Sequence, residues 1–313
     1  MELEKKNIDF FPNLSYKDLL TNPILDIAAR FWDDERYNAS KIVYRSFRII
    51  DDLVDNQKSV DYKISDIEKE QLKIKIKNWI GAIKDSKPID PLQKELIKTI
   101  EKFKIPIWPF QKFSESMIYD IQNRGFKTFQ NFLEYVEGAA IAPASIYMHL
   151  CGLKKNNGEY HTPNFDIKEA AKSLATFAYI VHIIRDFQKD QNMNLNYFSD
   201  DLIAGNGLDF SMLKKISSGS RISPGFRDLM KKYYNYAKFY RKKSRLMIDK
   251  IKDQLEPRCQ LSLEIVYNLY LQILERIDVQ NCKFTTNELN PNSEELKNKI
   301  DLVVFNFNHS LLK

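Results

Sequence analysis

The stretch HIIRDFQKD, His182 to Asp190, places two aspartates four residues apart, Asp186 and Asp190, at the end of an apolar helical pattern. An earlier stretch, DDLVD, repeats this spacing with Asp51 and Asp55. Residues i and i+4 lie on the same face of an α-helix, about 6 Å apart along its axis. The sequence therefore predicts two helices that each present a pair of carboxylates.

The flanks of both pairs are apolar. KIVYRSFRII precedes the first pair and SLATFAYIVHII precedes the second, and neither has the pattern of an exposed face. A buried pair of like charges is costly unless something neutralises it. Two such pairs facing one another would suit Mg2+, whose coordination is usually completed by phosphate oxygens. We therefore predict a metal-bridged diphosphate site; the alternative for these carboxylates is a network of surface ion pairs.

Composition favours a helical protein. The chain has 313 residues, of which 43% are hydrophobic and 29% are charged, so it can bury one large or two small cores. Nine glycines and eleven prolines are few, as expected of helices with short connections. No repeat of solenoid length is evident. We predict one all-α domain over residues 1–313, with a loosely ordered N-terminus over residues 1–15.

The chain carries no recognisable export signal. It has no long apolar segment near its start and no run of eighteen apolar residues, so neither a secretory signal nor a spanning helix is expected. The three cysteines, Cys151, Cys259 and Cys282, are odd in number and far apart. This pattern favours a reducing cytoplasm and argues against a zinc framework.

The net charge of +6 is unevenly spread, because KKYYNYAKFYRKKSR, Lys231 to Arg245, mixes cations with aromatic residues. This stretch could rest on an anionic membrane surface. The alternative, which the pattern favours, is a long helix with a solvated basic face and an aromatic core stripe. Nucleic-acid binding is not predicted, since no base-reading motif accompanies the charge. The expected location is cytoplasmic, with membrane association left open.

Capping residues and prolines mark the helix starts. We predict helices that begin at Asn22-Pro23, Asp33-Asp34, Ser65, Asp90-Pro91, Pro109, Phe129 and Asp166, and two long helices over residues 226–254 and 261–280. Residues 152–164 are predicted to form a loop and residues 200–207 a surface turn. The small residues of EGAAIAP, Glu137 to Pro143, would let a neighbouring helix or a ligand approach closely.

The order and spacing of these motifs resemble the squalene/phytoene synthase family of head-to-head trans-isoprenyl diphosphate synthases. The resemblance runs from about residue 23 to about residue 284 and identifies the chain as a divergent, bacterial-type member. It is carried by Tyr44, Arg48, DDLVD, EGAAIAP, IIRDFQKD with the NYF that follows, and Tyr270 in YLQIL. It implies a single-domain isoprenoid-synthase helical bundle with a central apolar cavity.

The resemblance also implies a site. Asp51, Asp55, Asp186 and Asp190 would hold two or three Mg2+ ions on the diphosphate of an allylic prenyl substrate, where metal stabilises charge on the leaving group. Arg48 would contact the diphosphate, whereas Arg185 could hold phosphate oxygens or serve as an ion-pair partner. Asp52 is expected beside the site. The other diphosphate-site positions are Asn22, Tyr44, Tyr197 and Tyr270, although the tyrosines could instead be core residues.

The implied reaction joins two farnesyl or two geranylgeranyl diphosphates through a cyclopropylcarbinyl diphosphate, giving squalene, dehydrosqualene or phytoene. The sequence has no G-x-G-x-x-G turn, but this leaves NADPH use open. A prenyl cation requires an apolar, partly aromatic pocket that excludes water. The candidates for its lining are Ile24, Phe31, Phe47, Val136, Ala140, Ala144 and Tyr147.

Several positions depart from the family pattern. His182 replaces an asparagine, Leu195 replaces an arginine, Asn22 and Ile24 stand where serines are expected, and an expected arginine falls near Asn287. His182 could donate to a diphosphate oxygen or accept the terminating proton. Its alternative is a buried histidine bonded to a backbone carbonyl.

The changed phosphate contacts leave three functions to weigh. The first is a Mg2+-dependent head-to-head prenyl synthase. The second is a divergent terpene synthase or prenyltransferase that ionises a single prenyl diphosphate. The third is a noncatalytic lipid-binding or partner protein with the same fold, which intact aspartates argue against.

Overall fold

The computed structural model describes residues 24–58 and 64–311. The predictions for residues 1–15 and for Asn22 therefore lie outside the described residues. The first half contains α1 (Ile24–Ala29), α2 (Asp34–Lys58), α3 (Asp66–Lys84), α4 (Pro91–Phe103), α5 (Trp108–Gln122) and α6 (Phe129–Val136), then a π-helical turn (Glu137–Ile141) and α7 (Ala142–Gly152). The second half contains α8 (Ile167–Arg185), α9 (Phe187–Asn192), α10 (Asp200–Ala204), α11 (Phe210–Ser217), α12 (Pro224–Ile251), α13 (Pro257–Arg276), α14 (Thr286–Leu289) and α15 (Ser293–Leu311).

One continuous apolar core runs through these helices. It begins at Ile27 in α1 and includes Phe307 in α15, so the elements do not divide into separate cores. The most extensive packing between two helices joins α8 to α12. The all-α, single-domain prediction is confirmed. Among the described helices, none combines the length and apolar character needed to cross a membrane.

The predicted caps explain several helix starts. Ser65 and Glu68 form the expected capping box at α3. Asp90 and Asp166 accept backbone N–H groups at the starts of α4 and α8. These side chains bind donors that have no partner inside the helix.

The predicted loop over residues 152–164 is partly wrong, because it contains a hairpin. Strands β1 (Lys154–Asn156) and β2 (Glu159–His161) pair antiparallel around Asn157 and Gly158, which both adopt positive φ. Asn-Gly is the sequence signal for this tight turn. The predicted turn over residues 200–207 likewise begins with the short helix α10, and a 3-10 turn (Lys252–Gln254) follows α12.

Two ionic contacts hold the start of α2 in place. Glu35 accepts hydrogen bonds from Tyr160 of the hairpin at 2.5 Å and from Lys155 at 2.7 Å, and these contacts lower the pKa of Glu35 to about 2. Arg36 is only 3% exposed and donates to both carboxylate oxygens of Glu256, at 2.5 and 3.0 Å. The N-terminal end of α2 is thereby fixed against the hairpin and α13.

The small residues of EGAAIAP allow the predicted close approach. A Cβ at Gly138, in the π-helical turn, would lie 2.2 Å from the carbonyl oxygen of Lys112 and 2.2 Å from Oγ of Ser116. Both neighbours belong to α5, so only glycine fits between the turn and this helix.

We predict opposite effects of alanine at two helical glycines. Gly138→Ala should destabilise the protein by about 2 kcal/mol, because a backbone carbonyl must move. The matched control is Gly81→Ala in α3, where a Cβ meets nothing within 4 Å. It should stabilise by about 0.5–1 kcal/mol. Urea denaturation measures both, and equal stability of the two variants would contradict the packing described.

Candidate active site

A cleft of 710 Å³ opens between α2, α8 and α13. Six residues predicted for the site lie along its walls: Tyr44, Arg48, His182, Arg185, Asp186 and Tyr270. They come from positions up to 226 apart in sequence, which the bundle brings to one opening. The residues between α13 and α15 close the remaining side of the cleft, and they include Asn287, near which the resemblance led us to expect an arginine.

The first aspartate pair lies in the last turns of α2. Arg48 donates to Oδ2 of Asp51 at 2.6 Å and also pairs with Asp52. Desolvation, together with the neighbouring carboxylates of Asp55 and Asp120, raises the pKa of Asp51 to about 7 despite the Arg48 cation. The surface-network alternative therefore describes Asp52, whose side chain is half exposed, better than it describes Asp51.

The second pair does not lie on one uninterrupted helix, contrary to the prediction. Asp186, at φ −92° and ψ 5°, ends α8 and precedes α9. This backbone region is compatible with aspartate and breaks the regular helix. The N–H of Asp190 still donates to the carbonyl of Asp186 at 2.8 Å, so the i to i+4 spacing survives the break.

Asp186 is closely paired with two neighbouring side chains. Arg185 donates to its two oxygens at 2.6 and 2.8 Å, and Nε2 of His182 lies 2.8 Å from Oδ2. Burial alone would raise the pKa of Asp186, but these contacts outweigh it and hold the pKa well below the usual range. Asp186 thus orients the arginine and the histidine in the cleft.

Asp190 has the opposite environment. Desolvation raises its pKa to about 7, and the negative charges of Asp186 and Asp55 add to this rise. Because Asp55 belongs to α2 and Asp190 to α9, the two acidic pairs lie within electrostatic reach of each other. Neither Asp55 nor Asp190 is among the residues that line the cleft. The meeting of the two pairs around a shared metal therefore stays a prediction, which this electrostatic coupling favours.

The donor set fits Mg2+ that is shared with a phosphate ligand. Among the described residues, no group of three or more His, Cys, Asp or Glu side chains is arranged to hold an ion without other ligands. Mg2+ typically needs only one or two carboxylates when substrate phosphates and waters supply the rest. Asp51, Asp55 and Asp190 could act in this way, whereas Asp186 would first have to release Arg185 or share its oxygens.

His182 lines the cleft, and within residues 24–58 and 64–311 no backbone carbonyl is bonded to its ring. Its side chain is 46% exposed, and desolvation by the cleft walls together with the Arg185 cation lowers its pKa. Among the described residues, a histidine that does have such a bond is His149, whose Nε2 lies 2.8 Å from the carbonyl of Phe103. The structural alternative for His182 is therefore wrong.

Of the three tyrosines predicted for the site, Tyr44 and Tyr270 line the cleft and Tyr197 does not. Tyr44 and Tyr270 line the cleft, and burial raises the pKa of both. Tyr197 packs edge-on against Tyr179 with ring centroids 6.4 Å apart. Burial raises the pKa of Tyr197 well above 10, and the charges of Asp55 and Asp190 contribute. Tyr197 therefore lies near the acidic pairs rather than in a distant core.

An apolar pocket of 150 Å³ adjoins the cleft, and His182 and Tyr270 line both. Its lining includes three residues predicted for it, Ala140, Ala144 and Tyr147. The prediction was wrong for the other four candidates. Ile24 lines the polar cleft, while Phe31, Phe47 and Val136 are buried in the core outside this pocket. Phe47 stacks on Phe110 of α5 instead, with ring centroids 5.1 Å apart.

Sequence reasoning missed two polar residues of the cleft region. Asp120 is buried in α5, accepts a hydrogen bond from the hydroxyl of Tyr135 at 2.6 Å, and contributes to the raised pKa of Asp51. Its signal was a carboxylate in the apolar stretch MIYDI. Lys189, which lies between Asp186 and Asp190 in sequence, also lines the cleft. Leu195, which stands where an arginine was expected, is a buried apolar side chain and supplies no charge to the site.

We predict that the metal-free protein loses stability as the pH rises through this site. Asp51 and Asp190 have a folded pKa of about 7, above the unfolded value of about 3.9. Their contribution is fully present below about pH 4 and is lost as the pH rises through 7, because the folded state holds the extra protons.

Thermal unfolding in EDTA at pH 5 and pH 8 measures this effect. Between pH 5 and pH 8, the Tm of the wild type should fall by about 3 °C or more beyond any fall in an Asp51→Asn/Asp190→Asn variant, whose amides do not titrate. Parallel pH profiles for the two proteins would contradict the raised pKa values.

The comparisons with known proteins agree with this geometry. The sequence model of the family described as squalene/phytoene synthase matches residues 26–294. A dehydrosqualene synthase crystallised with a ligand has 18% identity and a TM-score of 0.68, covering 91% of this chain and 90% of that chain. The squalene synthase HpnC from Alicyclobacillus acidocaldarius has 12% identity and a TM-score of 0.59, covering 81% of this chain and 98% of that chain.

YisP from Bacillus subtilis has 13% identity and a TM-score of 0.58, covering 95% of this chain and 98% of that chain. No curated protein sequence matches the chain with significant similarity. The structural likeness confirms the isoprenoid-synthase fold, and the family match extends across both aspartate pairs. The chain belongs to the squalene/phytoene synthase family, whose members are prenyltransferase-type enzymes.

Proposed function

We propose that the protein catalyses the Mg2+-dependent head-to-head condensation of two prenyl diphosphates, farnesyl or geranylgeranyl. The product would be a C30 or C40 hydrocarbon such as squalene, dehydrosqualene or phytoene, formed through a cyclopropylcarbinyl diphosphate. One observation carries the proposal. A polar cleft lined by Arg48, Arg185 and Asp186 adjoins an apolar pocket, and His182 and Tyr270 line both.

The polar half of the site would receive the diphosphate. Asp51, Asp55 and Asp190 would hold Mg2+, with Asp186 positioned to join them. The metal, when bound, would stabilise negative charge on the departing diphosphate. Arg48, Arg185 and Lys189 supply cations along the same cleft. Guanidinium groups are suited to bidentate contact with phosphate oxygens, which would orient the leaving group.

The apolar half would receive the prenyl chain. Ala140, Ala144 and Ala175 leave room between α7 and α8, and Tyr147, Tyr179 and Tyr270 add aromatic side chains to the pocket. Exclusion of water protects a carbocation from capture, and aromatic faces stabilise its charge. His182 lies where the two halves meet, so its imidazole could contact a diphosphate oxygen or accept the terminating proton.

A second candidate is the ionisation of one prenyl diphosphate, followed by cyclisation or transfer to another acceptor. The size of the apolar pocket favours it: 150 Å³ is small beside the roughly 300–1,000 Å³ of typical ligand sites. Two chains would require the pocket walls to move. Leu195 and Asn287, which stand in place of expected arginines, also leave fewer cations for a second diphosphate.

The remaining predictions belong to this proposal. A cytoplasmic location and the absence of a nucleic-acid partner stay predictions, and whether NADPH is used stays open. Membrane contact would involve α12, where Phe239 is 51% and Leu246 is 71% exposed among lysines. Buried Tyr233 and Ala237 on the same helix supply the core stripe that the alternative requires. Failure to sediment with anionic vesicles at low salt would remove the membrane proposal.

We predict that loss of one aspartate from either acidic pair strongly lowers turnover. Asp51→Ala and Asp186→Ala should each lower kcat at least a hundred-fold, about 2.7 kcal/mol of barrier. Asp52→Asn is a matched control, because Asp52 neighbours Asp51 but its side chain is half exposed. It should change kcat less than about threefold. Diphosphate release with Mg2+ and farnesyl diphosphate measures all three, and equal losses in Asp52→Asn and Asp51→Ala would contradict the assignment.

Product analysis separates the candidate functions. Purified protein is incubated with Mg2+ and farnesyl or geranylgeranyl diphosphate, with and without NADPH. A C30 or C40 hydrocarbon supports head-to-head condensation, whereas diphosphate release with only monomer-sized products supports the second candidate. No release from either substrate would favour the noncatalytic alternative, a lipid-binding or partner protein that keeps the fold.

A further inference from the structure

A second cleft of 660 Å³ lies next to α9, apart from the candidate active-site cleft that Arg48 and Asp186 line. Its walls come from α9, the end of α11, the segment that leads into α12, and residues 282–288 after α13. Phe187 and Gln188 line it, and they stand between Asp186 and Asp190 in sequence. The two clefts share no lining residue among those described.

The walls of this second cleft combine cations with apolar rings. Arg221, Arg227 and Lys283 line it, and within the described residues none of them forms an ion pair with a carboxylate. The acidic residue in its lining is Glu288, whose carboxylate caps α14 by accepting the N–H of Thr285 at 2.7 Å. Three cations therefore face a cleft in which the carboxylate is already engaged.

The floor of the cleft is apolar. Phe187 and Phe226 are buried, with ring centroids 5.0 Å apart, and Ile216 is buried beside them. Ile222 and Phe284 are partly buried in the same lining. Cations along an apolar floor match a ligand that has a phosphate head and an apolar tail.

We propose that this second cleft binds one free prenyl phosphate or diphosphate molecule, at a site distinct from the reaction site. The prenyl identity of the tail rests on the proposed function, whereas the phosphate and the apolar chain follow from the lining. A concave cleft of this volume suits a single ligand molecule, while a bilayer surface requires a protruding apolar face. A bilayer lipid is therefore not the occupant proposed.

The test is calorimetric titration of the full chain with farnesyl monophosphate in EDTA. EDTA removes the Mg2+ that the proposed reaction requires, so the measurement does not depend on turnover. Arg221→Ala/Arg227→Ala/Lys283→Ala should raise the Kd at least tenfold. Lys238→Ala/Lys242→Ala/Lys243→Ala, on the exposed side of α12, removes the same charge and should change the Kd less than about twofold.

Two further titrations locate the ligand and test its tail. Arg48→Ala should leave the Kd unchanged, and inorganic phosphate should bind at least tenfold more weakly than farnesyl monophosphate. Equal losses in both triple variants, loss of binding in Arg48→Ala alone, equal affinity for inorganic phosphate, or binding only to anionic vesicles would each overturn the proposal. Loss of binding in Arg48→Ala alone would place the ligand in the candidate active-site cleft and leave the proposed function standing.

Discussion

Neighbouring carboxylates on α2 and α9 repel one another in a partly desolvated site, and much of the site depends on this repulsion. Desolvation and mutual charge raise the pKa of Asp51 and of Asp190 to about 7. A divalent cation would relieve the same repulsion without a proton, so protons and metal compete for these oxygens. The unbalanced negative charge of these carboxylates therefore favours the binding of a divalent cation together with an anionic ligand.

A scaffold that holds like charges together must obtain its stability elsewhere. The continuous core and the packing of α8 on α12 supply this stability, and the Arg36 contacts with Glu256 add to it at the start of α2. Close contact at Gly138 sets the π-helical turn against α5, beside the start of the alanine-lined wall of the pocket. Packing thus helps to position the alanine-lined wall of the apolar pocket.

Sequence patterns predicted what depends on local chemistry. The i to i+4 aspartates, the Ser65 capping box and the small residues around Gly138 follow from helix geometry and sterics, and they recur in the structure. The helix break at Asp186 could not be predicted, since it accompanies contacts with Arg185 and His182 that form only in the folded site. The hairpin at Asn157 was predictable from its Asn-Gly turn and was overlooked.

Contacts between distant segments were harder still. Asp120 and Tyr135 form a buried hydrogen bond that no spacing rule indicates. The division of pocket candidates between Ala144, which lines the pocket, and Phe47, which packs on α5, depends on the rotation of each helix in the bundle. Asn22 lies outside the described residues, so its role stays a prediction.

The claim that the two acidic pairs form one site is tested most directly by a double-mutant cycle between Asp55 and Asp190. The measured quantity is the Kd of inorganic diphosphate in the presence of Mg2+, for Asp55→Asn, Asp190→Asn and the double variant. If both carboxylates act on the same metal-bound ligand, the double variant should bind at least tenfold more tightly than the product of the single losses predicts, a coupling of about 1.4 kcal/mol. Losses that add to within about 0.5 kcal/mol would contradict a shared site.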